Sequence, residues 1–293
     1  LGKGDSLRAV GATVSLAAIL GQVGLPGGGF ALGYGAMNAI GSSVPQLKGP
    51  TLPQGHNPVR AFIPVARIAD MLLDPGGRFT YRGRTHRYPH VRLLYWAGGN
   101  PFHHHQDLNR LQAAFRRPET IVVHEQYWTA AARMADVVLP ATIAAERDDI
   151  SFAVREPWVI AMRQVVLPHA EARDDYAIFR DLSARLGTEP AFTEGLDVPG
   201  WLARLYATFV QGAAAAGIAV PDFSTFWQQG AIDLSAHRRP VTFLAGFRAD
   251  PTARRLTTPT GRIELFSRTV AAAGLADCPG HAAWLPPAEW LGA

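Results

Sequence analysis

The sequence predicts an α/β fold built on a parallel sheet. Three short apolar runs typical of buried strands, at residues 91–96, 120–124 and 136–140, alternate with two segments typical of helices, at residues 105–115 and 129–134. A strand–helix–strand order at this spacing implies parallel strands joined by right-handed crossovers. We therefore expect a parallel sheet with helices on both faces, accompanied by irregular, loop-rich segments.

The composition indicates a folded globular chain. Of the 293 residues, 48% are hydrophobic, which suffices for one large domain or two ordinary ones and excludes disorder. Cys278 is the only cysteine, which excludes a disulfide framework and any zinc or iron–sulfur site built from several thiolates. The 28 basic and 24 acidic residues form no basic stripe, so we expect no nucleic-acid partner.

The first predicted element is a helix. Residues 7–18 place apolar side chains at helical spacing, with Asp5 or Ser6 as the cap and Gly21 or Gly24 at the end. A secretory signal is the alternative interpretation, but polar residues dilute the apolar run and no small-residue cleavage site follows. The run is shorter than the about 20 apolar residues that span a bilayer, so we expect no transmembrane segment.

A loop-rich passage follows this helix. The Gly-, Ser- and Pro-rich stretch to about Pro58 has little periodicity, and residues 27–29 are three glycines without the spacing of a phosphate-binding loop. A close approach between packed backbones is the simpler interpretation of these glycines. We expect residues 1–60 to form the end of a preceding α/β domain with a loop-rich connection, and residues 61–293 to form an α/β domain that binds the ligand.

The other elements are less regular. Helices are predicted at residues 64–74, from Asp174 or Asp175 to 186, at 201–216 and at 222–229; a hairpin is predicted at 79–86 around Arg82 and Gly83; strands are predicted at 158–167 and 261–266. The tail to Ala293 is Pro-rich and aromatic.

The parallel sheet itself predicts a ligand site. In such sheets ligands lie just beyond the carboxyl ends of the strands, as in dinucleotide-binding folds. This rule brings residues 98–100, His124 with Glu125, and residues 140–147 to one edge. We therefore expect a nucleotide-type anion site at this edge of a dinucleotide-binding-like domain.

Three consecutive histidines, at residues 103–105, follow the first of these strands. Adjacent residues cannot all face one ion, so this is a poor metal motif. The run is either a polar helix start or a helix N-terminus placed over an anionic ligand. Asn100 would then lie at the turn, with His104 one helical turn later on the same side.

Charged residues after the other strands each have a functional and a structural interpretation. Glu125 is a ribose-binding carboxylate or a solvated loop acid. Arg147 belongs to the charged run at residues 146–149, and it pairs with phosphate, stacks on a base or lies on a solvated face. Asp174 and Asp175 are helix caps, or one of them accepts two N–H groups of guanine. We find no paired catalytic acids and no nucleophile in a recognisable context.

The most specific motif of the chain is residues 96–110, WAGGNPFHHHQDLNR, and further motif segments lie at residues 21–30, 128–142 and 258–264, with Asp277 to His281 and Trp284. These segments resemble, in the same order, those of the dimethyl sulfoxide reductase family of molybdenum enzymes, in its trimethylamine N-oxide, dimethyl sulfoxide and biotin sulfoxide reductase branch. Together they cover nearly the whole chain.

The resemblance implies a bis(molybdopterin guanine dinucleotide) molybdenum cofactor. It implies that Asn100 and His104 contact one dinucleotide near its pterin or phosphates. His124 and Glu125 would meet its ribose and guanosine end. The strand-end argument selects the same residues.

The resemblance also extends to Arg147, which would lie against the nucleotide, and to Asp175, which would read the guanine edge. We assign no catalytic residue and no metal ligand to this chain. The serine that binds molybdenum in this branch, and the family's C-terminal domain, fall outside the sequence. Residues 151–155 also depart from the family pattern.

The expected function is that of a central fragment of a molybdenum oxidoreductase of anaerobic respiration, inactive alone. Its partners would be a small S-oxide or N-oxide substrate and an electron donor, either a cytochrome or a reductase. One alternative is a stand-alone guanine-dinucleotide carrier module, and another is a zinc hydrolase built on the histidine cluster. The resemblance leaves the compartment open and favours the periplasm over the cytoplasm.

Overall fold

A computed structural model gives the fold. It describes residues 3–30, 41–43, 47, 49–59, 61–81, 84–152, 157–276 and 278–284. The hairpin turn expected at Arg82 and Gly83, Asp277 of the family-like segment and the aromatic tail from 285 to Ala293 lie outside the described residues.

Helices and short strands follow one another along the chain. The helices are α1 (Lys3–Ile19), α2 (Ile68–Leu73), α3 (Pro101–His104), α4 (Leu108–Phe115), α5 (Ala130–Arg133), α6 (Asp175–Arg185), α7 (Glu189–Thr193), α8 (Val198–Ala215), α9 (Phe223–Gln229), α10 (Ala245–Ala249) and α11 (Arg268–Ala271). The strands are β1 (Gly41–Ser43), β2 (Arg78–Tyr81), β3 (Arg84–Arg87), β4 (Leu93–Ala97), β5 (Thr120–Glu125), β6 (Val137–Pro140), β7 (Asp149–Phe152), β8 (Trp158–Met162), β9 (Ala231–Asp233) and β10 (Arg239–Val241).

The chain folds into two compact units. Unit 1 comprises residues 1–49, 153–158 and 233–293, and unit 2 comprises residues 50–152 and 159–232. The division at residue 60 stays a prediction.

The centre of unit 2 is a three-stranded parallel sheet in the order β4-β5-β6. Leu93 pairs with Thr120 at one end of β4, while His124 and Glu125 pair with Leu139 and Pro140 at the carboxyl ends of β5 and β6. The predicted α/β class and the parallel order are therefore confirmed.

The core of this sheet is an apolar cluster shared by strands and helices. Its buried members are Leu72, Leu111, Ala114, Phe115, Ile121 and Val123. Leu111 and Phe115 lie on α4, one helical turn apart, so the same face of the helix packs on β5. This packing fixes α4, and with it the β4–α3 turn, against the sheet.

Helices α2 and α4 are joined by ion pairs on Asp70. Arg67 and Arg110 both donate to its carboxylate, Arg67 at 2.8 Å. Burial raises the pKa of Asp70, but the hydrogen bonds from Arg67 and Arg110 lower it by more, so the pKa lies below its ordinary value. These pairs therefore stabilise the ionised carboxylate in the folded chain.

We expect Asp70→Asn to destabilise the chain at about pH 7 and to have little effect at about pH 2. The folded pKa is depressed, so the stabilisation is fully present above the unfolded pKa of about 3.9 and is lost as the pH falls through the folded value. Urea unfolding of both proteins across this range measures the difference in the free energy of unfolding. A difference that stays constant into acid contradicts the assignment.

The remainder of unit 2 contains the antiparallel pair β7–β8, in which Ser151 pairs with Ile160, and the helices α6 to α9. Its buried aromatic centre is Tyr206 on α8, which stacks on Phe226 of α9 at a centroid distance of 4.5 Å. Strand β8 ends at Met162 rather than at residue 167, because the next amides donate elsewhere: that of Gln164 to the Asp148 side chain and that of Val165 to the Ala145 carbonyl.

Unit 1 contains α1, α10, α11 and the antiparallel pair β1–β10. Arg248 of α10 holds the turn after α1 by donating to the carbonyls of Gly21 and Val23. The helix begins at Lys3, ahead of the predicted caps, and its end near Gly21 is confirmed. No described helix combines the length and the apolar character that a membrane crossing requires.

The strand predicted at residues 261–266 is wrong. These residues form a bent, irregular segment whose polar groups are bonded within the loop. Gly261 accepts from the amide of Leu256, Thr258 donates to the Arg262 carbonyl, and Glu264 accepts from the Thr260 amide. These local bonds occupy backbone groups that a partner strand would need.

Candidate functional site

The carboxyl edge of the parallel sheet gathers four chain segments. Strands β4, β5 and β6 end there, and the start of α6 joins them through a parallel bridge between Ala141 and Arg173. The Arg173 amide donates to the Pro140 carbonyl at 3.0 Å, and the Thr142 amide donates to the Arg173 carbonyl at 3.1 Å. Residues as far apart in the chain as Ala97 and Arg173 therefore lie at one edge.

Asn100 lies at the turn after β4. Gly98 and Gly99 adopt positive φ angles of 84° and 73°, which glycine tolerates without strain and which turn the chain into α3. The Asn100 Oδ1 caps α3 by accepting from the Phe102 amide at 3.1 Å. The residue is 8% exposed, and its Nδ2 is buried without a hydrogen-bond partner. Such an orphaned donor costs about 1–3 kcal/mol unless a ligand or water accepts from it.

Two of the three histidines lie on α3, and His105 follows its end. The helix predicted at residues 105–115 begins later, as α4 at Leu108, because Asp107 takes a left-handed conformation at φ 51° and caps it. Residues 101–104 form the separate short helix α3, which was not predicted. His103 and His104 are exposed, and His104 follows Asn100 by one helical turn. Among the described residues, no group of three or more His, Cys, Asp or Glu side chains is arranged to hold a metal ion.

His124 lies at the end of β5 with both ring nitrogens in contact with other side chains. Its Nδ1 is 2.7 Å from Asp175 Oδ1, and its Nε2 is 2.6 Å from the Tyr95 hydroxyl. The His124 side chain is 1% exposed, whereas that of Asp175 is 55% exposed. The structure thus brings two of the sequence-predicted site residues, His124 and Asp175, into direct contact.

Glu125 is half-buried and fixes the turn after β5. Its Oε1 accepts from the Gln126 amide at 3.0 Å, and its Oε2 accepts from the Thr129 hydroxyl at 2.8 Å. Thr129 in turn caps α5. The carboxylate is therefore held in place at the sheet edge, with each of its oxygens in one hydrogen bond.

Arg147 is the half-exposed member of the charged run that follows β6. It donates from Nη1 to the Thr142 carbonyl at 3.1 Å, and its Nε lies 3.5 Å from Asp149. Its neighbour Glu146 is buried and accepts from the amides of Ile143 and His169, both at 2.9 Å. The charged run is thus partly structural: Glu146 joins two loops by hydrogen bonds, while the Arg147 side chain remains partly exposed to solvent.

Two polar residues near this edge were not among the predicted site residues, although the strand-end rule brought residues 140–147 to it. Thr142 follows β6 and keeps a buried hydroxyl without a hydrogen-bond partner. Tyr95 lies inside the apolar run of β4 and reaches His124 across the sheet. The sequence pattern that indicates Tyr95 is a phenol within an apolar strand, on the same face of the sheet as a histidine at the end of the neighbouring strand.

A cavity of about 460 Å³ lies beside this edge, between α3, α4 and α5. Its lining includes the Phe102 and Trp128 rings, the amides of Asn109 and Gln112, and the Arg133 guanidinium. Flat apolar rings beside a cation and amides suit a planar, polar ligand group.

Comparisons with known proteins agree with the sequence motifs. Residues 3–185 match the family model of molybdopterin oxidoreductases. The chain is 49% identical to the biotin sulfoxide reductase of Cereibacter sphaeroides, over 96% of this chain and 38% of that protein. It is 44% identical to a dimethyl sulfoxide/trimethylamine N-oxide reductase of the same organism, over 95% of this chain and 36% of that protein. It is 41% identical to the trimethylamine-N-oxide reductase of Haemophilus influenzae, over 95% of this chain and 36% of that protein.

The chain thus spans less than two fifths of the length of these relatives. Among solved structures, the acetylene hydratase of Pelobacter acetylenicus is 21% identical with a TM-score of 0.41, covering 66% of this chain and 24% of that one. The family match covers more than half of the chain and implies a molybdenum–pterin cofactor. The resemblance found in the sequence is therefore confirmed, and the chain belongs to the molybdopterin oxidoreductase family.

Proposed function

We propose that the carboxyl edge of the unit 2 sheet binds a molybdopterin guanine dinucleotide, within an enzyme that reduces S-oxides or N-oxides. The names of the relatives support the substrate class, since they are biotin sulfoxide, dimethyl sulfoxide and trimethylamine N-oxide reductases. The dinucleotide form is supported by the parallel-sheet edge, which in other folds receives nucleotides.

The observation that carries the proposal is the buried, unpartnered Nδ2 of Asn100. A donor at the first turn after a parallel strand lies where dinucleotide folds hold their phosphates. Because Oδ1 of the same amide caps α3, the orientation of the side chain is fixed before a ligand arrives. The residue therefore fits a phosphate or pterin oxygen of the cofactor.

The other predicted site residues fit the remaining parts of the dinucleotide. Arg147 offers its remaining N–H groups and its planar face to a phosphate or a base. Glu125, held at the end of β5, suits ribose hydroxyls, and the exposed carboxylate of Asp175 suits the N–H edge of guanine. His104 is exposed one turn after Asn100 and remains free to approach the same group.

When bound, the cofactor supplies the oxygen-atom and electron transfer chemistry. The residues of this chain bind it, orient it and balance its negative charge. We assign none of them a catalytic proton transfer.

The proposal is tested on the enzyme that carries this chain, purified with its cofactor. Acid hydrolysis should release guanosine monophosphate, at about two molecules for each molybdenum atom because two dinucleotides share one metal. Release of cytidine monophosphate, or of no nucleotide, contradicts the guanine dinucleotide form.

In the same preparation, we expect Asn100→Ser to lower the molybdenum and guanosine content at least about tenfold. Serine keeps the cap on α3 but lacks the amide donor, so the free energy of unfolding should change by less than about 1 kcal/mol. The matched control is Asn57→Ser, because the exposed Asn57 also accepts from an amide two residues on, that of Val59 at 2.9 Å. Equal cofactor content in both variants contradicts the role of Asn100.

A further inference from the structure

We propose that His124 does not touch the nucleotide but positions the carboxylate of Asp175, and that Tyr95 completes this chain of hydrogen bonds. The inference rests on the proposed function, because it takes the guanine edge as the partner of Asp175. In this proposal His124, at the buried end of β5, contributes to base specificity, and Asp175, at the start of α6, makes the direct contact with the base.

The burial of His124 is the first support for this role. The ring is 1% exposed, and both nitrogens already lie at hydrogen-bond distance from side chains of unit 2. A ligand could reach neither nitrogen without displacing Tyr95 or Asp175. The imidazole therefore acts on the nucleotide only through a neighbour.

The direction of the hydrogen bonds follows from what each group can donate. A carboxylate can only accept a hydrogen bond, so Nδ1 of His124 carries a proton and donates to Asp175 Oδ1. Nε2 is then free to accept from the Tyr95 hydroxyl. Burial, and then the negative charge of Asp175, raise the pKa of Tyr95, so this hydroxyl keeps its proton. The phenol thus favours the tautomer that donates to Asp175.

Aromatic packing holds the same three groups in register. The Phe179 ring, one turn along α6 from Asp175, lies 4.9 Å from the His124 ring and 5.7 Å from the Tyr95 ring. Because α6 contributes both Asp175 and Phe179, rotation of α6 would break the hydrogen bond and the ring contacts together. The start of α6 is therefore fixed over the sheet edge.

The consequence for recognition concerns both oxygens of the Asp175 carboxylate. Guanine presents N1–H and an exocyclic amine as parallel donors, and only a carboxylate facing them squarely accepts both. With Oδ1 tied to His124, rotation about the Cβ–Cγ bond is stopped while the side chain remains 55% exposed. The restrained carboxylate then distinguishes guanine from hypoxanthine, which lacks the exocyclic amine.

The test is calorimetric titration of the full chain, free of cofactor, with GDP and with IDP. The wild-type chain should bind GDP about tenfold more tightly than IDP, the value of one charge-assisted hydrogen bond. His124→Gln keeps a polar atom towards Tyr95 and lacks the donor at the Nδ1 position. The ratio of the affinity for GDP to the affinity for IDP should therefore fall to about one. His124→Asn places its amide donor at that position and should retain the ratio.

These readouts separate the possible failures. A structural role would weaken GDP and IDP alike, so an unchanged ratio in His124→Gln overturns the positioning role while the proposed function stands. A GDP-to-IDP affinity ratio that falls equally in His124→Gln and His124→Asn also overturns the positioning role. A wild-type ratio of one overturns the proposed guanine site itself. If His124→Gln does not fold, the ¹⁵N shifts of the wild-type imidazole decide: an Nδ1–H tautomer supports the proposal and an Nε2–H tautomer overturns it.

Discussion

Asp175→Asn is expected to weaken GDP binding to the full chain by about 100-fold, because two charge-assisted hydrogen bonds of about 1.5–3 kcal/mol each are disturbed. The amide that replaces one carboxylate oxygen presents a donor to the donors of guanine. The Asp175 side chain is 55% exposed and lies at the start of α6, at the edge of the sheet where the proposed site would receive the base. Isothermal calorimetry with GDP measures the loss.

The matched control for this variant is the preceding residue. Asp174 caps α6 by accepting from the Ala177 amide at 2.8 Å, and asparagine caps a helix as well as aspartate does. Asp174→Asn should therefore change the affinity for GDP by less than about twofold. Equal losses in the two variants would mean that the helix start, and not the Asp175 carboxylate, is what GDP requires.

Leu111→Ala is expected to lower the free energy of unfolding by about 2–5 kcal/mol, the range for a leucine removed from a packed core. Leu111 is 0% exposed and belongs to the cluster that joins α4 to β5. The cavity left by the substitution would loosen α4 and the turn that carries Asn100. Urea unfolding followed by tryptophan fluorescence measures the change.

Leu108→Ala is the control on the same helix, because Leu108 is 46% exposed and lies one turn earlier. Both substitutions replace leucine by alanine on α4, and the two positions differ chiefly in burial. We expect less than about 1 kcal/mol for Leu108→Ala. A loss as large as that of Leu111→Ala would contradict the assignment of the core.

The parallel sheet could be predicted because its strands are continuous apolar runs, a pattern typical of strands in parallel sheets. The runs at residues 120–124 and 136–140 match β5 and β6 closely, and the parallel orientation of the strands follows from the helices between them. The run at residues 261–266 has a similar apolar pattern but forms an irregular, bent segment, because side chains and backbone groups of this loop bond to one another. Local polar competition of this kind is not visible in an apolar pattern.

The break between α3 and α4 also escaped prediction. Asp107 is an ordinary helix cap in sequence, but its left-handed conformation is a property of the folded turn. Such a conformation is uncommon for a residue other than glycine and depends on what surrounds it.

The members of the candidate site could be predicted better than their contacts. Asn100, Glu125 and Arg147 follow strands, so the rule for parallel sheets brings them to one edge. The contact between His124 and Asp175 could not be predicted, because it joins residues 51 positions apart. It depends on the bridge from Ala141 to Arg173, which places the start of α6 beside β6.

The most direct test of the proposed guanine site is a crystal structure of the full chain with GDP. We expect the guanine edge on the Asp175 carboxylate, with His124 buried behind it and touching no atom of the nucleotide. A nucleotide bound away from the carboxyl edge of the sheet, or one bonded to a ring nitrogen of His124, would contradict this assignment.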